Sequence, residues 1–361
     1  TNPTAYPNIK SPQTIYVKMT NKGNNSCSAF TNFDIEVTKL PVVASSVVLK
    51  QCDDNIDGFS AFNLTEANTK ISSNANNETI TFFTSYAAAD SNDSSEKILT
   101  PTAYMNQKVS VDKVWARVEN PEGCHRVSEL NLVVATTAIP ANFQRVFYKC
   151  DDYIDSINNE KDGVATFDFS SVTQEIERIF PEGQQVIITY YSNEVDALAE
   201  ENPIGNASNY RNIGFPHSQQ IYIRVDSKLN NDCLGLGAHI TLKVEPIPMA
   251  NAVKIERKCD DDLDGLYPFD TSAIESSVLN GQTGMIVSYM DKNGNPLPNP
   301  LPNPFLTSTQ TIRVRVTDST SNDVAGACFA ETFLDFVVDK MPVANSIINL
   351  VACDDDFDGY Y

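Results

Sequence analysis

The chain has 361 residues, 41% of them hydrophobic, and a formal charge of −21. That is apolar enough to fold and too long for one ordinary core, so two to four modules are expected rather than disorder. The acidity argues against nucleic-acid and anionic-membrane partners, whose phosphates would be repelled, and no apolar run approaches the roughly 20 residues that span a bilayer.

In chain order, "TNPTAYPNIKSPQTIYVKMTN" (1–21) reads as the second half of a module, and no signal peptide opens it. The stretch is expected to be interior to a longer protein. Ile15, Val17 and Met19 alternate with Tyr16, Lys18 and Thr20, the period of a strand with one buried face. "IYVKMTN" (15–21) returns as "VWARVEN" (114–120), "IYIRVDS" (221–227) and "IRVRVTD" (312–318). A cysteine follows each copy: Cys27, Cys124, Cys233 and Cys328. Then come the alternating runs "FDIEVTKLP", "LNLVVATTAIP", "ITLKVEPIP" and "LDFVVDKMP", closing on prolines 41, 140, 248 and 342. After each proline stands an acidic motif: Cys52-Asp53-Asp54, Cys150-Asp151-Asp152, Cys259-Asp260-Asp261 and Cys353-Asp354-Asp355, at intervals of 98, 109 and 94 residues. Landmarks recurring in fixed order mean tandem modules, at a period too long for a common solenoid.

Cutting at the prolines gives complete repeats at 42–140, 141–248 and 249–342, with the end of another at 1–41 and the start of another at 343–361. "TITFFTSY" (79–86), "VIITYYS" (186–192) and "MIVSYM" (285–290) mark a further shared strand. Clusters of Asn, Gly, Pro and Ser separate the strands, as in "DKNGNPLPNPLPNP" (291–304). Two short helices are expected in the second complete repeat. "SSVTQEIERIF" (170–180) sets Val172, Ile176, Ile179 and Phe180 on one face, and "NEVDALAEEN" (193–202) follows. About a hundred residues, some seven short strands and frequent turns predict an all-β fold of immunoglobulin-like sandwiches in a linear tandem array. Trp115, on the strand before the second cysteine, is expected in the core rather than as a sugar platform.

The acidic motif carries the chemistry. Asp53, Asn55, Asp57 and Gly58 spell D-x-N-x-D-G; Asp260, Asp262, Asp264 and Gly265, and Asp354, Asp356, Asp358 and Gly359, repeat it. This is the ligand spacing of the first half of an EF-hand loop. Calcium takes six to eight oxygens, alternate side chains of a tight loop converge on one point, and glycine permits the turn beyond them. Asn63, Asp168 and Asp270 each follow the motif glycine by five residues and are candidate further ligands or loop anchors. The flanks carry no long helices, so the expectation is a Ca2+ loop set in a β domain. The bland alternative is an Asx-rich turn. The second complete repeat departs from the pattern: "SINNEK" lengthens the cysteine-to-glycine interval from 6 to 13. There Asp151, Asp152, Asp155 and Asp162 either wrap an ion or form a solvated loop.

Eight cysteines, two per period, point to disulfides in an oxidising compartment rather than zinc, since no C-x-x-C exists and the three histidines are scattered. One pairing joins Cys27 to Cys52, Cys124 to Cys150, Cys233 to Cys259 and Cys328 to Cys353, with gaps of 25, 26, 26 and 25 residues. The other, within repeats, joins Cys52 to Cys124, Cys150 to Cys233 and Cys259 to Cys328. The near-constant short gap favours the first, unless it only reflects fixed strand lengths.

The motif "CDDNIDGFSAFNL" (52–64), the strand "VIITYYSNEVDALAEENPI" (186–204) and "SPQTIYVKMTN" (11–21) resemble the tandem Ig-like repeats of very large secreted surface proteins of Bacteroidota, among them gliding-motility adhesins and type IX secretion substrates. The resemblance covers the whole chain. It implies an extracellular, cell-surface stalk or filament, whose partners are neighbouring repeats and, beyond them, surface glycans or other surface proteins. The insertion after Asp155 and "MIVSYM" in place of "TYY" depart from it. Nothing in the sequence assembles a catalytic constellation, so no enzyme is expected here. The alternative is that these are accessory or glycan-binding modules of a large extracellular enzyme.

Overall fold

The computed structural model of the chain describes residues 2–53, 57–152, 161–349, 351, 353 and 358. These fall into two compact units. The first is Thr1–Arg145 with Asp168–Tyr210 and Gln220–Thr241; the second is Val146–Phe167 with Arg211–Gln219 and Leu242–Tyr361.

The first unit opens with a hairpin, β1 (Gln13–Asn21) and β2 (Asn24–Ile35), paired antiparallel from Gln13 with Ile35 to Thr20 with Ser28. The alternation of "IYVKMTN" makes a strand, but the expected buried face is absent. Met19 is 71% exposed and Val17 38%. Two strands have no opposing layer to cover either face. In the complete repeats the same alternation is fully buried: Val114, Ala116 and Val118; Ile221, Ile223 and Val225; Ile312, Val314 and Val316.

The first complete repeat contains β3 (Ser46–Asp53), β4 (Ala61–Phe62), α1 (Asn68–Ile71), β5 (Thr79–Phe83), α2 (Tyr86–Ser91), β6 (Tyr104–Met105), β7 (Val111–Glu119) and β8 (His125–Thr136). Four strands form one sheet in the order β3-β8-β7-β5, with β3 parallel to β8. The small ladder β4–β6 and the turn 64–67 supply the other layer. Phe62, Leu64, Ala67 and Ile71 pack against Leu49, Phe82, Val114, Ala116, Leu130 and Leu132. The strand in "TITFFTSY" stops at Phe83, because Ser85 caps a helix by accepting from the Ala88 amide. Trp115 is half-buried and packs against a small side cluster of Phe83, Ala88 and Ala89 rather than in the main core.

The second complete repeat follows the same order: β9 (Arg145–Cys150), β10 (Thr166–Phe167), α3 (Val172–Glu177), β11 (Val186–Tyr191), α4 (Glu194–Ala199), β12 (Tyr210–Arg211), β13 (Ser218–Ser227) and β14 (Cys233–Glu245). Its large sheet runs β11-β13-β14-β9. Both expected helices form, and Val172, Ile176 and Phe180 are buried. The third complete repeat, in the second unit, holds β15 (Lys258–Asp260), β16 (Tyr267–Phe269), α5 (Ile274–Leu279), β17 (Met285–Met290), β18 (Pro296–Leu297), β19 (Phe305–Thr307), β20 (Gln310–Asp318), β21 (Phe329–Phe336) and β22 (Val338–Lys340). Its sheet order is β18-β17-β20-β21, with β15 parallel to β22 and β16 antiparallel to β19. Val287, Val314 and Leu334 meet Phe269, Ile274 and Phe305 in its core. The proline-rich stretch after β17 stands where the other two repeats place α2 and α4.

The expected all-β fold in tandem repeats is therefore present, with six to eight strands per complete repeat and short helices between them.

The acidic loops and the inter-repeat disulfides

Each complete repeat ends its first strand at the motif cysteine or the aspartate after it, and the acidic loop begins there. The leading aspartates Asp53, Asp151 and Asp260 are buried, 4%, 4% and 7% exposed. In all three loops the Oδ2 of that aspartate accepts from the motif glycine amide: Gly58 to Asp53 at 2.7 Å, Gly163 to Asp151 at 2.9 Å, Gly265 to Asp260 at 3.1 Å. The last aspartate accepts from the residue after the glycine: Phe59 to Asp57, Val164 to Asp162, Leu266 to Asp264. The insertion in the second complete repeat breaks the spacing but leaves both closing bonds in place. The glycines sit at φ +80°, +75° and +82°, the left-handed region.

In the third complete repeat the loop's carboxylates converge. Asp260, Asp262 and Asp264 each offer an oxygen, all within 4.8 Å of one another. Two oxygens bound to one Ca2+ at 2.3–2.6 Å lie at most about 5 Å apart, so the set fits calcium. The buried Asp260 Oδ1 has no hydrogen-bond partner, an arrangement that an ion would satisfy. Asn55, Asp155, Asp354 and Asp356 lie outside the described residues, and Asp358 is exposed. Asp152 pairs with Arg211, its Oδ2 2.9 Å from Nη1.

Asn63, Asp168 and Asp270, the candidate further ligands or anchors, each cap the turn that follows them. Asn63 Oδ1 accepts from the Thr65 amide and hydroxyl, Asp168 Oδ1 from those of Ser170, and Asp270 Oδ1 from the Ser272 amide. These caps hold Asp168 and Asp270 below the usual carboxylate range, through hydrogen bonds from Ser170 and Ser272.

Sequence reasoning missed Asn106 and Asn212. Asn106 accepts from the Ser60 amide and donates to the carbonyls of Gly58 and Lys108. Asn212 accepts from Ala165 and donates to Gly163 and Phe215. Both are almost fully buried and clamp the loop from behind. The signal was present as Tyr104-Met105-Asn106 and Tyr210-Arg211-Asn212, a Y-x-N recurrence shared by two repeats.

The disulfides overturn both expected pairings. Cys52 bonds Cys233 and Cys150 bonds Cys328, with Cα–Cα distances of 5.4 Å. The motif cysteines of the first two complete repeats thus join the second cysteine of the next repeat. Cys27, Cys124, Cys259 and Cys353 are outside any disulfide among the described residues. The within-repeat pairing fails on register. Cys52 lies opposite Ala135 in the parallel β3–β8 ladder, whereas Cys124 precedes the start of β8, eleven residues back. That is roughly 36 Å along a strand. The short pairs fail too, and their constant gap reflects repeated strand lengths.

The Cys52–Cys233 bond is buried with Tyr191, Ala197 and Leu236. Around it, Lys50 pairs with Asp232 at 2.7 Å, Gln51 Nε2 donates to the Leu198 carbonyl at 2.8 Å, and Asn63 Nδ2 donates to the Ala199 carbonyl at 2.9 Å. Beside Cys150–Cys328, Lys149 pairs with Asp323 at 3.0 Å, and the Asn322 amide donates to Glu245. No described helix is long and apolar enough to cross a membrane.

Mostly-β repeats in tandem, covalently joined from one repeat to the next, define a structural repeat region. The chain belongs to the Flavobacterium inter-domain disulphide bond domain family, whose model matches residues 1–41, 48–140, 146–248 and 255–342. No curated protein matches it. Among solved structures it is similar to the I-band fragment I67–I69 from titin (12% identity, 81% of this chain and 95% of that one, TM-score 0.22). It is also similar to Sidekick-1 immunoglobulin domains 1–4 (10%, 87% and 80%, TM-score 0.20) and Drosophila N-cadherin EC1–4 (10%, 91% and 83%, TM-score 0.20).

Proposed function

We propose that these repeats form the stalk of a secreted, cell-surface adhesive protein of the gliding-motility or type IX type, stiffened at its joints by disulfides and Ca2+. The observation that carries the reading is the covalent link from the motif cysteines Cys52 and Cys150 to the following repeat. A disulfide placed between modules resists extension of the chain rather than stabilising one core. Such bonds persist in oxidising surroundings, which fits a location outside the cell. The acidic loops of the first two complete repeats start at their disulfides, so an ion held there stiffens the same joint, while the third loop starts at Cys259, which is outside any disulfide among the described residues.

Asp260, Asp262 and Asp264 are the ligands in the third complete repeat, with Asp53, Asn55 and Asp57, and Asp354, Asp356 and Asp358, as their counterparts by spacing; Asp151 and Asp162 close the longer loop. Calcium supplies positive charge that these carboxylates otherwise lack. The test is melting and small-angle scattering of the oxidised chain with Ca2+, with EDTA, and after reduction. Extracellular modules bind Ca2+ with Kd of about 10⁻⁴–10⁻³ M, and saturation at a hundredfold excess adds about 2.7 kcal/mol. That is a shift of roughly 10 °C or more for a repeat of this size. Identical melting and scattering in Ca2+ and EDTA would remove calcium from the reading. The adhesive role is tested by displaying the chain on a non-adherent cell; attachment no better than that of the bare cell refutes it.

A further inference from the structure

Beside the Cys52–Cys233 bond lies a charge cluster built from both repeats. Arg224 of β13 is 0% exposed. Its Nε donates to both Asp226 oxygens, at 2.9 and 3.0 Å, and its Nη2 reaches Glu200 Oε1. Nη1 donates to the Ala197 carbonyl and, across the repeat boundary, to Gln51 Oε1 at 2.9 Å. Asn231 donates to both Glu200 oxygens, and Tyr191 on β11 also faces Arg224. The first complete repeat contributes one more acid. Glu66, in the turn after β4, faces Glu200, and its Oε1 is buried with no hydrogen-bond partner.

Three carboxylates therefore meet one guanidinium, with Arg224 and Asp226 buried and Glu66 and Glu200 half-buried. Fully ionised, they would leave two uncompensated negative charges in a largely buried cluster, which is costly. A protonated Glu66 removes one of them and leaves the unpartnered oxygen on a neutral group. We propose that Glu66 is a proton-operated catch on this junction: the two repeats stay docked while Glu66 is protonated, and the docking loosens, within the tether of the disulfide, when that proton is lost.

Burial first, then the neighbouring Glu200 charge, pushes Glu66 up to about 8; burial likewise lifts Asp226 to about 6. The docked value of Glu66 lies above its value in water, so docking is strongest below about 4.5 and weakens as pH rises, levelling off above 8. Opening then grows up to about tenfold per pH unit, or about a hundredfold between pH 6 and 8. The catch is confined to one junction, because Ser171 and Ala273 stand in the place of Glu66 in the next two repeats.

The test is hydrogen exchange of the oxidised chain at pH 6, 7, 8 and 9, at constant calcium and corrected for intrinsic exchange. Segments 64–71 and 194–204 should lose protection by up to about a hundredfold in wild type. Glu66→Gln, which imitates the protonated acid, should keep the protection at pH 6 and abolish the slope. An equal slope in Glu66→Gln, or none in wild type, overturns the proposal. If Glu66→Gln does not dock at pH 6, a ¹³C titration of the wild-type Glu66 carboxyl decides instead. A midpoint near 8 supports the catch, and one near 4.5 refutes it.

Discussion

Replacing Cys52 and Cys233 together by alanine tests the central structural claim. The bond closes a loop of 181 residues. In the chain-entropy relation a loop of that length restrains the unfolded chain by about 5 kcal/mol at 25 °C, against roughly 3 kcal/mol for a 25-residue loop. The alanines keep the apolar contacts with Tyr191, Ala197 and Leu236, so little else is lost. Trp115 is the sole tryptophan, and it packs half-buried against Phe83, Ala88 and Ala89 of the first complete repeat, so its fluorescence during urea unfolding reports this unit. The double variant should lose about 3–5 kcal/mol. Each repeat retains its own two-layer core, so a folded baseline should remain. Coincident unfolding curves for variant and wild type, or a peptide map joining Cys52 to Cys27 or Cys124, would show the reasoning wrong.

The remaining predictions concern the loops and the second disulfide. Asn106→Ala strips three hydrogen bonds from buried backbone groups and should cost at least about 2 kcal/mol, measured by the same unfolding; Asn212→Ala should behave alike in its own repeat. Gly58→Ala should be worse than Gly265→Ala. Both incur about 1–2 kcal/mol for left-handed backbone, but only at Gly58 does a Cβ meet a side chain, Val109 Cγ1 at 2.6 Å. Equal melting of the two glycine variants would contradict this. Cys150 is more accessible than Cys52, so limited reductant should open Cys150–Cys328 before Cys52–Cys233, as followed by timed alkylation and mass spectrometry. The reverse order would count against the burial described here.

Much of the architecture was legible in the residues. The alternation of "VWARVEN", "IYIRVDS" and "IRVRVTD" names β7, β13 and β20, and the buried positions are the ones the period selects. The same pattern misled for β1, because period 2 reports which face is apolar and not whether anything covers it. The helices at 172–177 and 194–199 followed from their spacing and caps. The cap at Ser85, which ends β5 early, was overlooked although "FTSY" carries it.

The loops divide the same way. Spacing alone picked out Asp260, Asp262 and Asp264 as a converging set, since alternate side chains of a tight turn must point to one side. It placed Asn63, Asp168 and Asp270 at a constant offset without telling ligand from cap. That choice depends on which amide N–H lies within reach, and so on the backbone conformation of the following turn. Spacing left the lengthened loop before Gly163 open between an ion site and a solvated loop, and the closing bonds survive there because a longer loop still brings Asp151 and Gly163 together.

By itself, then, the sequence determined that the chain is a series of β repeats, where the recurrent strands lie, and that every repeat brings a cysteine and an acidic turn to its start. Local periodicity and turn chemistry suffice for that. The disulfide partners, the Asn106 and Asn212 clamps and the burial of Arg224 were decided only by the tertiary structure. The parallel pairing of β3 with β8 puts the two cysteines of one repeat at opposite ends of a strand, and only the neighbouring repeat brings a second sulfur within bonding distance.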